Sequence, residues 1–103
     1  SRDRLDVTID LEAEQDIHSV GADFIQVVGP EVFLPAEIII SVSSDGTDYH
    51  ELLHLTHEVT KAKPIVFKNY GWQGIATARY VRYQARADKE FGGWIFTDEI
   101  VIK

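Results

Sequence analysis

The most chemically suggestive pattern in the sequence is a cluster of histidines near its middle. His50, Glu51 and His54 fit the pattern H-E-x-x-H, and His57 adds a third imidazole at helical spacing. On a helix, this spacing would place the imidazoles on one face to bind zinc, with the glutamate as the general base that activates a water molecule. The pattern alone therefore raises the hypothesis of a zinc peptidase.

The residues around this pattern favour a strand over a helix. Apolar residues recur with a period of two from Pro35 to Ser43, and Ser44 to Asp48 has the short polar side chains and the glycine of a turn. A hairpin is thus predicted, with the histidines on its second strand. In an extended chain His57 would face away from the other two histidines, so the set could not close around one zinc. We expect half-exposed histidines and a chain that is not itself an enzyme.

Two adjacent acids near the C-terminus are a second candidate for chemistry. Asp98 and Glu99 lie within the apolar run from Trp94 to Ile100. Paired carboxylates can cleave a glycosidic bond only if they flank a cleft, and neighbours on a strand point to opposite faces. Either acid could instead bind a hard cation or pair with Arg79 or Arg82, and the ion pair is the simpler interpretation.

Aromatic side chains beside predicted loops form a third signal. Sugar rings stack their apolar faces on aromatic planes, while their hydroxyl groups bond to polar side chains. The same aromatic side chains could simply cap the ends of a hydrophobic core, and both interpretations remain open. The candidate stacking residues are Phe33, Trp72, Phe91 and Trp94, and the candidate polar residues are Glu31, Asn69, Gln73 and Lys89.

The elements that must position these residues are strands. Alternating or apolar runs predict about seven strands, the first from Leu5 to Leu11. The sequence shows no pattern for the crossover helices that a parallel sheet would need. The other runs span residues 20–28, 36–43, 49–55, 65–72, 78–87 and 94–102, and residues 71–74 are expected to end the fifth strand. The fold class is therefore all-β, an antiparallel sandwich or jelly roll.

Composition narrows the functional classes. The 103 residues suit one domain, and the absence of cysteine excludes disulfides and thiolate metal sites. A formal charge of −7 argues against nucleic acid and anionic membrane surfaces as partners. No apolar run approaches the ~20 residues that a membrane span needs, so no membrane insertion is expected.

Several blocks of sequence resemble a known family. Their order and spacing are similar to those of discoidin-like domains, the coagulation factor V/VIII type C domains, whose bacterial members include carbohydrate-binding module family 32. The nearest likeness is to the C-terminal module of bacterial chitobiases and β-N-acetylhexosaminidases of glycoside hydrolase family 20. The blocks are Val7 to Leu11, Leu34 to Glu37, Ser41 to Gly46, Ala78 to Arg82 and Trp94 to Ile100.

The resemblance implies an eight-stranded, galactose-binding-domain-like jelly roll that binds N-acetylglucosamine- or galactose-type sugars. It also implies structural calcium, with Glu99 as a ligand, although most other calcium ligands of the family come from an N-terminal segment that we expect this domain, residues 1–103, to lack. The expected role is a non-catalytic accessory module that targets a periplasmic, cell-surface or secreted glycoside hydrolase to glycans. The alternative is a structural or protein-interaction module that packs on the catalytic domain without binding sugar.

Overall fold

The described part of the chain forms five antiparallel strands in one hydrogen-bonded sheet. The computed structural model describes residues 4–27, 35–56, 65–87 and 96–103, in which no helix occurs. The sheet order is β3-β2-β4-β1-β5. No described helix has the length and apolarity that crossing a membrane requires. The strands are β1 (Arg4–Val27), β2 (Glu37–Ser43), β3 (His50–Thr56), β4 (Ile65–Arg86) and β5 (Phe96–Ile102).

Two of these strands are far longer than the sequence predicts. β1 contains both of the first two predicted strands, and β4 contains the predicted strands at 65–72 and 78–87. The two long strands pair along their whole length, from Arg4 opposite Arg86 to Val27 opposite Ile65. The predicted count of seven, and the break expected at residues 71–74, are therefore wrong, because the chain continues through these points as strand.

A bulged corner interrupts the pairing of β1 with β4. Asp10 lies opposite Tyr80 and Gln15 opposite Ala78, so residues 11–14 of β1 face the single residue Arg79. Glu12 has a φ of 72°, and its backbone N–H donates to Asp10 Oδ1 at 2.8 Å. Extra residues on one strand bend that strand and increase its local twist. The corner is where the sheet folds over.

Contacts between distant parts of the long strands show that the sheet folds back on itself. The rings of Phe24 and Tyr83 stack with centroids 6.2 Å apart, although Tyr83 pairs with Val7. Phe24 and Val7 would lie about 56 Å apart along a straight strand. The Tyr83 hydroxyl also donates to the Tyr70 carbonyl at 2.9 Å. Burial raises the pKa of Tyr83, which keeps this donor protonated.

The folded sheet is a β-sandwich with the core between its layers. Layer one comprises β3, β2 and residues 78–86 and 4–10, and layer two comprises residues 65–73 and 17–27 with β5. The all-β antiparallel class is confirmed, and the halves of the long strands account for the seven predicted strands. The largest fully buried side chains include Tyr83, Phe24, Ile17, Ile38, Ile40, Val20 and Val81.

The turn between β2 and β3 forms as predicted. Asp45 Oδ1 accepts hydrogen bonds from the backbone N–H groups of Thr47 at 2.8 Å and Asp48 at 3.0 Å. These donors hold the pKa of the Asp45 carboxyl below its ordinary value. Gly46 has a φ of 80°, a conformation that glycine adopts without steric cost. The predicted hairpin is therefore confirmed.

Candidate functional site

The histidine pattern lies on a strand, as the sequence analysis expected. His50 and His54 both belong to β3, where His50 pairs with Val42 and His54 with Ile39. The Nε2 atom of His54 lies 2.7 Å from Glu37 Oε2. His57 lies outside the described residues. Since H-E-x-x-H holds zinc only on a helix, the zinc-peptidase hypothesis is not supported.

The arginines expected to pair with the C-terminal acids pair elsewhere. Arg82 makes a bidentate contact with Asp6, at 2.9 and 2.7 Å, and Arg79 makes one with Asp10, at 2.8 and 2.9 Å. Asp98 or Glu99 was the expected partner of these arginines, and that expectation is wrong, since Asp6 and Asp10 take this place. Asp6 lies opposite Gln84 and Asp10 opposite Tyr80 on the neighbouring strand, so each acid is diagonal to its arginine. A single sequence does not reveal this register.

The C-terminal acids occupy an irregular part of β5. Ala22 pairs with Ile100 and Phe24 with Thr97, so Asp98 and Glu99 together oppose the single residue Asp23. Strict alternation of faces, used above to separate the two acids, does not hold at such a bulge. The side chain of Glu99 is exposed.

The described side chains do not supply a calcium site around Glu99. Calcium takes 6–8 oxygen ligands, and among the described residues no group of three histidines or acids could hold a metal ion. The described residues therefore do not complete a calcium site by themselves, and the role of Glu99 as a ligand stays a prediction.

Five of the eight predicted sugar-binding residues lie outside the described residues. Trp72 lies inside β4, opposite Val20, and its half-buried indole packs against the core. A Cβ atom on Gly74 would lie 2.5 Å from Trp72 Cζ2, so the indole covers this glycine. Trp72 is thus not a loop residue with a fully open ring. The five residues outside the described part are Glu31, Phe33, Lys89, Phe91 and Trp94.

The other three predicted residues come together at one cavity. Asn69, Trp72 and Gln73 line a cavity of about 400 Å³ between the end of β5 and the first half of β4. This is the one place in the described structure that unites predicted site residues. The other lining residues are Ser19, Val20, Gly21, Gly71, Val101 and Lys103.

Two glycines without side chains form the floor of this cavity. Gly21 pairs with Gly71 across β1 and β4, and a Cβ atom on Gly71 would lie only 2.7 Å from the Val20 carbonyl oxygen. Only glycine allows this close approach of the two backbones. Asn69 Oδ1 lies 3.4 Å from the Cβ position of Gly21, so it borders the floor.

The polar groups of the cavity suit a ligand that carries several hydroxyl groups. Asn69 Nδ2 donates to Asp23 Oδ1 at 2.8 Å, which fixes the orientation of the amide. Gln73, four residues further along β4, is exposed and adds two donors and an acceptor, and Lys103 adds three donors. Val101, 40% exposed, provides an apolar surface. Sequence reasoning missed Lys103 and Val101, since their proximity depends on the β1–β5 pairing.

A second polar cavity, of about 240 Å³, lies on layer one. Its lining includes Arg4, Asp6, Glu37, Gln84 and Arg86. Glu37 accepts hydrogen bonds from His54 and Arg86, and chiefly the His54 contact lowers the pKa of its carboxyl.

The acids of this cavity are already paired, because Glu37 joins β3, β2 and β4 through His54 and Arg86, and Asp6 is paired with Arg82. The described structure therefore gives this second cluster a role in joining strands, and it leaves the Asn69 cavity as the stronger candidate for ligand binding.

Comparison with known proteins identifies the fold. The sequence matches no family model and no curated protein. Among solved structures it is similar to CpGH89CBM32-6 produced by Clostridium perfringens, with 20% identity and a TM-score of 0.67 over 100% of this chain and 71% of that chain.

Two further Clostridium perfringens structures match. CpGH89CBM32-5, in complex with GalNAc-β-1,3-galactose, has 14% identity and a TM-score of 0.63 over 99% of this chain and 67% of that chain. CBM32-3 from a family 31 glycoside hydrolase has 17% identity and a TM-score of 0.54 over 99% of this chain and 65% of that chain. The chain therefore has the β-sandwich fold that these CBM32 structures share.

Proposed function

We propose that this chain is a non-catalytic carbohydrate-binding module. The observation that carries the proposal is the likeness in fold to CpGH89CBM32-5, whose structure holds GalNAc-β-1,3-galactose. The cavity lined by Asn69, Trp72 and Gln73 supports it, since amide side chains around an open floor can bond to sugar hydroxyl groups. The ligand class proposed is N-acetylglucosamine- or galactose-type sugars.

Two locations compete for the sugar. One is the Asn69 cavity. The other involves segments 28–34 and 88–95, which carry the five remaining predicted residues and lie outside the described part of the chain. The described residues that border these segments include Val27, paired with Ile65, and Arg86, paired with Glu37. Both pairs lie at the ends of the long strands away from the bulged corner, whereas the Asn69 cavity lies between those ends and the corner.

Titration of isotope-labelled protein with sugars tests binding and location together. N-acetylglucosamine, galactose, N-acetylgalactosamine and GalNAc-β-1,3-galactose would be added while amide shifts are followed by NMR. Saturable shifts around Gly21, Gly71 and Val101 are expected if the Asn69 cavity binds. Shifts confined to residues near Val27, Pro35 and Ala87 would favour a site next to segments 28–34 and 88–95 instead. Silence with all four sugars in a folded sample would overturn the proposed function.

Matched variants separate the two locations. Asn69→Ala with Gln73→Ala removes exposed polar groups of the cavity, while Phe33→Ala with Phe91→Ala removes candidate stacking rings elsewhere. The double variant whose residues bind the sugar should lose at least tenfold in affinity for it, about 1.4 kcal/mol. The other double variant should bind the sugar almost as tightly as the wild type. Unchanged spectra outside the mutated region would show that each variant remains folded.

The biological setting is a proposal that rests on the sequence resemblance described above. We propose a parent chain that is a bacterial glycoside hydrolase of the chitobiase or β-N-acetylhexosaminidase type, in the periplasm, at the cell surface or secreted. Tethering the enzyme to glycans raises its effective concentration near substrate without new chemistry. The alternative, a module that packs on the catalytic domain and binds no sugar, predicts that loss of the site residues leaves glycan retention of the parent chain unchanged.

A further inference from the structure

The turn between β2 and β3 contains a dipeptide that can react with itself. Asp45 is followed directly by Gly46. In such a pair the backbone nitrogen of the glycine can attack the side-chain carboxyl carbon of the aspartate, because glycine has no side chain to obstruct the approach. The new nitrogen–carbon bond closes a five-membered succinimide ring. The nitrogen loses its proton, and the carboxyl group loses one oxygen as water.

Hydrolysis of the succinimide ring can lengthen the backbone. One water molecule adds to either ring carbonyl, and nothing is oxidised or reduced. Addition at the main-chain carbonyl of Asp45 leaves the chain running through its side-chain carbons, which is an isoaspartate of unchanged mass. The main chain then contains one extra carbon atom within the turn, next to the point where Val42 pairs with His50.

Ser43 binds the nitrogen that would attack. The Gly46 N–H donates to Ser43 Oγ at 2.9 Å, and the Asp45 N–H donates to the same oxygen at 3.2 Å. The nitrogen must give up this hydrogen bond before its proton can leave. Ser43 is only 4% exposed, so water does not readily take the place of its hydroxyl group.

The carboxyl group that would be attacked is restrained as well. Asp45 Oδ1 accepts a hydrogen bond from the Ser43 hydroxyl at 2.9 Å and two more from the backbone N–H groups of Thr47 and Asp48. These donors favour the ionised form of the carboxyl group. A carboxylate is a poor electrophile, because its negative charge repels the attacking nitrogen.

An aromatic ring also covers the glycine. Tyr80 of β4 pairs with Ser43, and its Cε2 and Cζ atoms lie 3.2 Å from the position that a Cβ atom of Gly46 would occupy. This contact opposes movement of Gly46 toward the Asp45 carboxyl group. The turn therefore restrains both reacting groups and the backbone between them.

We propose that Asp45 and Gly46 form a latent site of isoaspartate formation, and that Ser43 protects it by binding both reacting groups. The reaction requires the turn to open, so isoaspartate accumulates in molecules whose hairpin has unfolded. A molecule modified in that state refolds with a longer turn and without the original geometry of the Asp45 carboxylate. Its β2–β3 hairpin is less stable as a result.

Incubation of the folded protein beside the same protein unfolded in guanidinium chloride tests the protection. Isoaspartate is measured by enzymatic methylation with L-isoaspartyl methyltransferase, and it is located at Asp45 by fragmentation of the peptide that contains it. At equal pH and temperature, we expect the folded protein to react at least about tenfold more slowly, since several hydrogen bonds must break first. Equal rates in the two samples would overturn the proposal.

Two serine variants test the role assigned to Ser43. Ser43→Ala removes the hydroxyl group that binds both reacting groups and should speed isoaspartate formation in the folded protein by about fivefold or more. Ser41→Ala is the matched control, because Ser41 lies on the same strand and is 5% exposed, and its rate should stay close to that of the wild type.

Denaturant unfolding of both variants gives the fraction folded, so that rates are compared at equal fractions. A folded Ser43→Ala protein that reacts no faster than Ser41→Ala would overturn the protecting role of Ser43. The comparison of folded with unfolded wild type decides the proposal even if Ser43→Ala does not fold.

Discussion

At the scale of single residues, the outer face of layer one is organised by acid–arginine pairs across β1 and β4. Asp6 with Arg82 and Asp10 with Arg79 are bidentate contacts between residues far apart in sequence. Bidentate geometry adds specificity as well as energy to an ion pair. Since a shift by one residue would separate every donor from its acceptor, these pairs help to fix the register of the two long strands.

These pairs make the stability of the protein depend on acid pH. Hydrogen bonds from Arg82 hold the pKa of Asp6 below its ordinary value of 3.8. Because the pKa is lower in the folded than in the unfolded state, the stabilisation is fully present above about pH 4 and is lost as the pH falls through the folded value. We expect the free energy of unfolding to decrease steadily below pH 4, measured by urea unfolding at a series of pH values.

An asparagine variant isolates the contribution of one pair. Asp6→Asn should lose about 1 kcal/mol or less at pH 7, since the pair is partly exposed, and should show a smaller decline in acid than the wild type. Asp48→Asn changes an exposed acid that contacts no arginine among the described residues and should follow the wild-type curve. If Asp6→Asn kept the full acid dependence, other carboxyl groups would have to account for it.

At the scale of elements, close backbone approach at paired glycines is what positions the Asn69 cavity. Gly21 and Gly71 face each other, but their tolerance for a side chain differs. An added Cβ atom at Gly71 would lie 2.7 Å from the Val20 carbonyl oxygen, whereas at Gly21 its nearest neighbour would be Asn69 Oδ1 at 3.4 Å. The former is a clash with backbone, and the latter is an ordinary contact.

This difference predicts unequal effects of alanine at the two glycines. Gly71→Ala should destabilise the fold by about 1–3 kcal/mol, because β1 and β4 must move apart to accept the methyl group. Gly21→Ala should cost much less. Urea midpoints of the two variants at neutral pH provide the measurement, and equal midpoints would mean that the backbones can separate freely at this position.

The sequence revealed the existence and type of the elements better than their ends. Alternation of apolar residues located every strand, including the buried row Val20, Ala22 and Phe24, because burial of one face requires a period of two. It failed where strands continue through the bulge at residues 11–14. A bulge inserts extra residues into one strand without ending its pairing, and it shifts the alternation, so the pattern alone indicates two strands separated by a loop.

The candidate site was harder to predict from the sequence than the strands, because its composition depends on how the whole chain pairs. Residue type suggested Asn69, Trp72 and Gln73, and the fold does place them at one cavity. Their neighbours Ser19 and Lys103, however, come from chain segments more than eighty residues apart, and Lys103 reaches Ser19 through backbone hydrogen bonds of 3.0 and 3.1 Å. Such proximity follows from strand pairing across the whole chain.

At the scale of the whole molecule, the two layers of the sandwich are not independent units. β1 and β4 each run through both layers. Unfolding of one layer would therefore disrupt strands that also belong to the other layer. The layers also share one aromatic cluster, since Phe24 contacts both Tyr70 of layer two and Tyr83 of layer one at 5.7 and 6.2 Å between ring centroids.

This continuity predicts that the protein unfolds as one cooperative unit. Native-state hydrogen exchange at increasing urea should give the same opening free energy for protected amides around Val81 in layer one and Ala22 in layer two. Phe24→Leu removes part of the shared cluster and should lower both values together, by about 1 kcal/mol. If layer two opened at a lower free energy than layer one, the bulged corner would be acting as a hinge between separable units.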